Sequence, residues 1–137
     1  QRDIPYKLKV YQKIVEHIKK HNEKNLILCG DFNIAHKERD LARSNQNQKN
    51  TMFTVAEREQ LDRLIDLGFV DSFRKFNKDG GNYSWWPYSK SARKNNIGWR
   101  IDYIFTSNSL AQNLESAFIQ KEINLSDHVP VGIYLQS

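Results

Sequence analysis

The run RIDYIFT, Arg100–Thr106, constrains the fold of this chain more than any other stretch. In extended backbone its side chains alternate: Ile101, Tyr103 and Phe105 fall on one face, Arg100, Asp102 and Ile104 on the other. The first face demands an apolar layer to cover it. The second carries a carboxylate on an otherwise apolar strand, and a lone buried charge is costly without a partner. Any fold must therefore place this strand in a sheet, pack helices or another sheet against it, and bring a polar group to Asp102.

Covering elements are present in the sequence. Residues 6–22 form an amphipathic helix with Leu8, Tyr11, Ile14, Val15 and Ile18 on one face, broken by NEKN. LILC, Leu26–Cys29, is a short apolar run expected as a buried strand. A second helix is announced by a capping box, Thr54 with Glu57 three residues on. Leu61, Leu64 and Ile65 supply its buried face and Gly68 stops it. FVDSFRKF is ambiguous, KDGGN is a turn, and YSWWPY, RIDYIFT, LESAFIQ and VPVGIYLQ are strand-like. The polar stretch from His36 to Asn50 has no periodicity and is expected as a surface loop. The order predicts an α/β layered domain with a mixed, largely antiparallel sheet flanked by helices.

The chain's 137 residues suffice for one domain, with no repeat and no linker to divide it. No apolar run reaches membrane-span length, so no membrane association is expected. The start, QRDIPYKLKV, has no apolar signal core and no initiator Met, which suggests a piece of something longer. Cys29 is the sole cysteine and suits a reducing, cytoplasmic setting. The net charge of +5 is compatible with a polyanionic partner.

Four places carry groups capable of chemistry. GDFN puts Asp31 and Asn33 two residues apart at a strand end, where extended chain projects both to one side; taken alone, an ordinary Asp/Asn turn explains it as well. Asp102 could be a structural partner for an arginine or could orient a histidine. Of the histidines, His17 and His21 lie at i, i+4 among lysines and read as surface residues. His36 sits in a loop, and His128, in the segment SDHVPV beside Asp127, is the strongest candidate. Finally, YSWWPYSKSARKNNIGWR interleaves aromatic and basic residues, a pattern suited to nucleic acid, with rings for bases or sugars and cations for phosphates. Trp86 and Tyr88 read more simply as core; Trp85 and Trp99 stay open.

Together LILCGDFNIAH, FVDSFRKFN, YSWWPY, ARKNNIGWRIDYIFTS and LSDHVPV resemble the exodeoxyribonuclease III branch of the AP endonucleases, within the wider endonuclease/exonuclease/phosphatase superfamily. The resemblance spans essentially the whole chain. GDFN and SDH are shared with pancreatic deoxyribonuclease, sphingomyelinase and inositol phosphatase relatives and imply phosphoester hydrolysis; ARKNNIGWRIDY points to the DNA-repair branch. Members of the family are about twice as long. Their first half supplies one sheet of a two-sheet sandwich, an early Asn, the Glu that is the main metal ligand, and a Tyr in a Y-x-P-N-like segment, none of which occurs here. The expectation is the C-terminal half of a two-sheet α/β sandwich.

The resemblance implies residue roles. Asp31 activates the attacking water and Asn33 helps hold it. His128 stabilises the phosphoryl oxygens, Asp102 orients that histidine, and Asp127 lies near the metal, directly or through water. Trp85, Trp99 and Ile101 would form a pocket for an extruded baseless sugar; Arg93 and Arg100 would be phosphate or structural contacts. The implied cofactor is Mg2+, with Mn2+ as a substitute, and its main Glu ligand is expected outside this chain. The implied activity is cleavage of double-stranded DNA 5′ to abasic sites, with 3′→5′ exonuclease action at 3′ ends. These residues alone are expected to be weak or inactive, and to self-associate through an unpaired sheet face. The alternatives are a non-catalytic DNA- or protein-binding module, or another superfamily phosphodiesterase.

Overall fold

The computed structural model of the protein describes residues 3–21 and 25–137. Helix α1 runs Ile4–Lys20, with Pro5 in its first turn, where its fixed φ and missing N–H are suited. It begins two residues earlier than its apolar spacing predicts. The end of that predicted helix and most of the NEKN breaker lie outside the described residues. Strand β1, Ile27–Asp31, follows. Helix α2 is Val55–Asp66, β2 is Phe69–Asp71 and α3 is Ser72–Phe76. The remaining elements are β3 at Asp102–Ser107, α4 at Asn108–Ala111, β4 at Leu114–Ile119 and β5 at Val131–Leu135.

Strand β3 is the centre of a three-stranded antiparallel sheet ordered β1-β3-β2, and β4 pairs antiparallel with β5. The predicted alternation holds: Ile101, Tyr103 and Phe105 are all buried. Tyr103 and Phe105 join Tyr11 and Val15 of α1, Leu61 and Leu64 of α2, Ile34 and Phe69 in one apolar cluster. On the opposite side of β3, Arg100, Asp102 and Ile104 meet α3 and the β4–β5 pair. Helices α1 and α2 on one face, and α3 with a strand pair on the other, give the layered α/β arrangement that the element order predicts.

The capping box of α2 is present. The Thr54 hydroxyl accepts from the Glu57 amide at 3.3 Å, and the Thr54 amide donates to the Glu57 carboxylate at 3.2 Å. Glu57 is fully buried because Lys7 of α1 reaches it at 2.7 Å, so one carboxylate both starts α2 and ties it to α1. Gly68 ends the helix with φ +99, a conformation that only glycine adopts without strain.

Several expectations fail for identifiable reasons. β1 is exposed apart from half-buried Leu28, since among the described residues it is an edge strand bonded only to β3. Ile65 is exposed, lying off the stripe set by Leu61 and Leu64. YSWWPY forms isolated bridges from Trp85 to Trp99 and to His128, not a strand. The polar stretch 36–50 is more than a surface loop. It contains two short 3-10 turns, Glu38–Asp40 and Ser44–Gln46, and it buries Asp40 and Leu41.

Candidate active site

The site grows from the end of the β1–β3 ladder, where Asp31 and Asp102 are register partners on antiparallel strands. Beyond Asp31 the chain leaves the sheet. The Asp31 carboxylate accepts from the Asn33 amide at 2.8 Å, and Asn33 takes a left-handed φ of +56. GDFN is thus a tight Asp-held turn and not two steps of extended chain, which corrects the geometric premise of the sequence reading. Two side chains of α1, one turn apart, seize its carbonyls: Lys7 donates to Asn33 O at 2.5 Å and the Tyr11 hydroxyl donates to Phe32 O. Burial, with the nearby negative charges of Asp31 and Glu57, raises the Tyr11 phenol well above its ordinary range.

Asp102 is held from behind by buried Ser84, whose hydroxyl oxygen meets the amides of Ile101 and Asp102 at 3.0 and 3.1 Å. The backbone of Ser84 also accepts from Val129 at 2.9 Å, which docks the segment carrying His128 beside Asp102. The result is a close pair: His128 Nδ1 lies 2.9 Å from Asp102 Oδ2, and its Nε2 lies 3.9 Å from Asp31 Oδ2. Partial burial raises the Asp102 carboxyl; bonds from His128 and Ser84 oppose the rise and the charge of Asp31 adds to it. One ligand atom each from Asp31, Asp102 and His128 falls within 4.8 Å of the others, an acidic cluster of metal-site dimensions.

Asp127 sits at the rim, fully exposed. The Trp85 indole N–H donates to it at 3.1 Å, and that bond, helped by Ser126 and His128, holds its carboxyl below the usual range. Beside it opens a groove of about 530 Å3 lined by Trp85, Trp99, Met52, Arg43, Asn47 and Asn50, among others. A second cleft of about 540 Å3 lies between α1 and the Asp31–Asn33 turn.

Not every expected residue reaches this surface. Arg100 is 1% exposed, and its guanidinium bonds Asp40 at 2.7 Å and both oxygens of Asp71, so it is structural and no phosphate contact. Ile101 is 2% exposed, packed with Phe53, Leu41 and Trp99; it underlies the groove instead of lining it. Arg93 spends its guanidinium on backbone carbonyls of Ser126, Lys121 and Ile123. Trp86 is core, as expected, but Tyr88 is fully exposed. Sequence reasoning passed over Lys7, Tyr11 and Ser84, which leave no motif. Arg43, Asn47 and Asn50 lie in an amide-rich stretch whose lack of periodicity gives no sign that it walls a groove.

Known proteins share this fold and much of this sequence. The profile of the Endonuclease/Exonuclease/phosphatase family matches residues 6–128. An exodeoxyribonuclease of Bacillus subtilis is 42% identical over 134 residues, which are 96% of this chain and 53% of that protein. A DNA repair nuclease of Danio rerio is 42% identical over 113 residues, 82% of this chain and 36% of its own length. The solved 3′-5′ exonuclease of Neisseria meningitidis superposes with a TM-score of 0.92 at 27% identity, covering 100% of this chain and 56% of that one. An AP endonuclease from Archaeoglobus fulgidus has the same fold, with a TM-score of 0.93 at 24% identity over 100% of this chain and 56% of its own. The chain therefore spans about half the length of several of these relatives.

Proposed function

This chain belongs to the endonuclease/exonuclease/phosphatase family, and from that premise we propose that it carries the hydrolytic half of a DNA repair nuclease. The proposed activity is phosphodiester hydrolysis 5′ to abasic sites and at 3′ ends of double-stranded DNA. The observation that carries it is the His128–Asp102 pair, with Asp31 at 3.9 Å from the same imidazole at the rim of one sheet. Phosphodiester hydrolysis needs an aligned water and neutralised phosphoryl oxygens. Asp31, exposed at the strand end, accepts the proton of the attacking water. Asn33, held in its turn by Lys7 and the Asp31 carboxylate, offers an amide to that water or to the phosphate. His128, anchored through Nδ1 by Asp102, presents Nε2–H to a phosphoryl oxygen, and Asp102 balances the charge of the imidazolium.

The donor set suits a hard divalent cation such as Mg2+, with Mn2+ as a substitute. Asp31 and Asp102 of the cluster offer carboxylate oxygens, Asp127 at the rim would reach the ion directly or through water, and both ring nitrogens of His128 face carboxylates. Such an ion would stabilise charge developing on the phosphate and the leaving oxygen. Waters and substrate oxygens would complete the shell of such an ion; on the family resemblance we assign its principal carboxylate to a segment outside these residues. The groove edged by Trp85 and Trp99 would take the extruded sugar, which costs least to flip when it bears no base. We also propose a cytoplasmic setting, in keeping with the single free Cys29. Among the described residues no helix is long and apolar enough to cross a membrane. Self-association through the open edge of β1 and exposed Tyr6 and Val10 is the companion proposal, read by sedimentation across concentration.

The test is cleavage of a duplex with one abasic site, in Mg2+, by these 137 residues alone and with the N-terminal half of the Bacillus relative added in trans. Binding without appreciable turnover alone, and turnover on complementation, is expected. Robust turnover alone removes the need for an outside carboxylate. DNA binding with no cleavage under complementation favours the non-catalytic binding module instead.

A further inference from the structure

The segment that delivers Asp127 and His128 is tied down on its far side by well-placed main-chain bonds. The Trp86 amide donates to Asp127 O at 3.2 Å and the Val129 amide to Ser84 O, while within the segment the His128 amide donates to the Ser126 side-chain hydroxyl at 3.2 Å. Upstream the case is different. Glu122, Asn124 and Leu125 are exposed; the stretch has narrow turns closed by the Lys121 amide on Ile119 O and the Ile123 amide on Gln120 O, and at its start Lys121 Nζ donates to Asn82 Oδ1 at 3.2 Å. One side chain gathers it. Arg93 Nη1 donates to Ser126 O at 2.8 Å, and Nη2 donates to Ile123 O at 2.5 Å and more distantly to Lys121 O at 3.4 Å. The same guanidinium lies 4.7 Å over the ring of Trp86, whose indole N–H is in turn fixed by Asn96 at 3.0 Å.

We propose that Arg93 is a positioning residue that fixes the 121–126 segment, so that the Asp127–Trp85 and His128–Asp102 bonds stand ready before any substrate arrives. Only the meaning of that readiness rests on the function proposed above; the fixation itself does not. The chemistry favours arginine. A planar fork can serve several carbonyls at once while its face stacks on an aromatic ring. A lysine ammonium keeps the charge but can neither stack as a plane nor span carbonyls spread across a turn. A phosphate contact needs the charge alone, so the Arg93→Lys variant separates the two roles.

The experiment uses the chain without DNA or metal: amide hydrogen exchange and the tryptophan indole resonances by NMR, for Arg93→Lys, Arg93→Gln and a control, Lys94→Ala, which alters an exposed neighbouring cation. In both Arg93 variants the amides of Ile123 and His128 are expected to exchange at least about tenfold faster, the loss expected when charge-assisted bonds to a turn disappear. The Trp85 indole resonance moves towards its solvent-exposed position, while the β1–β3 ladder amides and the Trp99 indole stay as in the parent. Lys94→Ala matches the parent throughout. Unchanged exchange in Arg93→Lys, or acceleration spread equally over the β1–β3 ladder, overturns the proposal. The first makes Arg93 a point charge and the second a general stability residue. None of these readouts needs turnover, so failure of the cleavage assay and failure of this proposal are separate results.

Discussion

Replacing Arg100 by methionine tests the most consequential burial in the molecule. Arg100 and Arg74 face Asp40 and Asp71 in a closed set of two cations and two anions, with Arg100 and Asp40 each 1% exposed. Burial opposes ionisation of Asp40, and the two guanidinium groups overcome it and hold the carboxyl below its usual range. In Arg100→Met, Asp40 keeps Arg74, but Asp71 loses its only ion-pair partner in the set. Breaking a buried pair by removing one member costs about 3–5 kcal/mol, because an uncompensated charge is left behind. A domain of this size has about 5–15 kcal/mol of net stability. With a urea slope of about 2 kcal/mol per molar, the midpoint followed by tryptophan emission should fall by roughly 2 M. Adding Asp71→Asn removes the orphaned charge while keeping a side chain able to cap α3, and should recover much of the loss. Arg100→Lys should not recover it, since an ammonium cannot reproduce the forked contact with Asp71. A midpoint for Arg100→Met within the error of the parent would refute the reasoning.

Glu57 is held below its usual range, because Lys7 and Thr54 outweigh the effect of burial. Its contribution is therefore present above the unfolded carboxyl pKa and is lost as pH falls through the lower folded value. Glu57→Gln should cost about 1–2 kcal/mol at pH 7, with the two unfolding midpoints converging in acid; a constant gap across pH would contradict this. At Gly98 an added Cβ would lie 2.5 Å from the Trp86 indole nitrogen and 2.9 Å from Trp85 O. Gly98→Ala should lose about 1–3 kcal/mol and shift the emission of both tryptophans, whereas parent-like emission and stability would show that the contact is not tight.

What the sequence disclosed follows from how local each signal was. The face of β3, the capping box at Thr54 and the stop at Gly68 depend on residues within a few positions of each other, and all three are present. Asp102 needed a partner, and His128 was the choice among the histidines that the geometry supports. The misassignments involve distance. Arg100 lies in a basic aromatic block that leaves a phosphate and a structural role equally open, and the choice between them rests with Asp40 and Asp71, which no local pattern connects to it. The stretch 36–50 looked idle because the partner of Asp40 and the wall opposite Asn47 and Asn50 come from elsewhere in the chain. Exposure of β1 depends on which strand lies beyond it, a question that apolar composition does not answer.

The β1–β3 pairing that aligns Asp31 with Asp102 also sets when the site can exist during folding. Just past the end of β1, the Tyr103 hydroxyl of β3 donates to Ile34 O, 69 residues apart in the chain, and the strand partners are separated by similar lengths. Loops of that length close slowly compared with helix formation, so α1 and α2 can be in place while the two carboxylates are still far apart. Partly folded chains would then hold helices and an apolar core in formation, yet no arrangement able to engage a phosphate. The grouping of Asp31, Asp102 and His128 is in this sense a late product of assembly, complete only when such long-range contacts have formed.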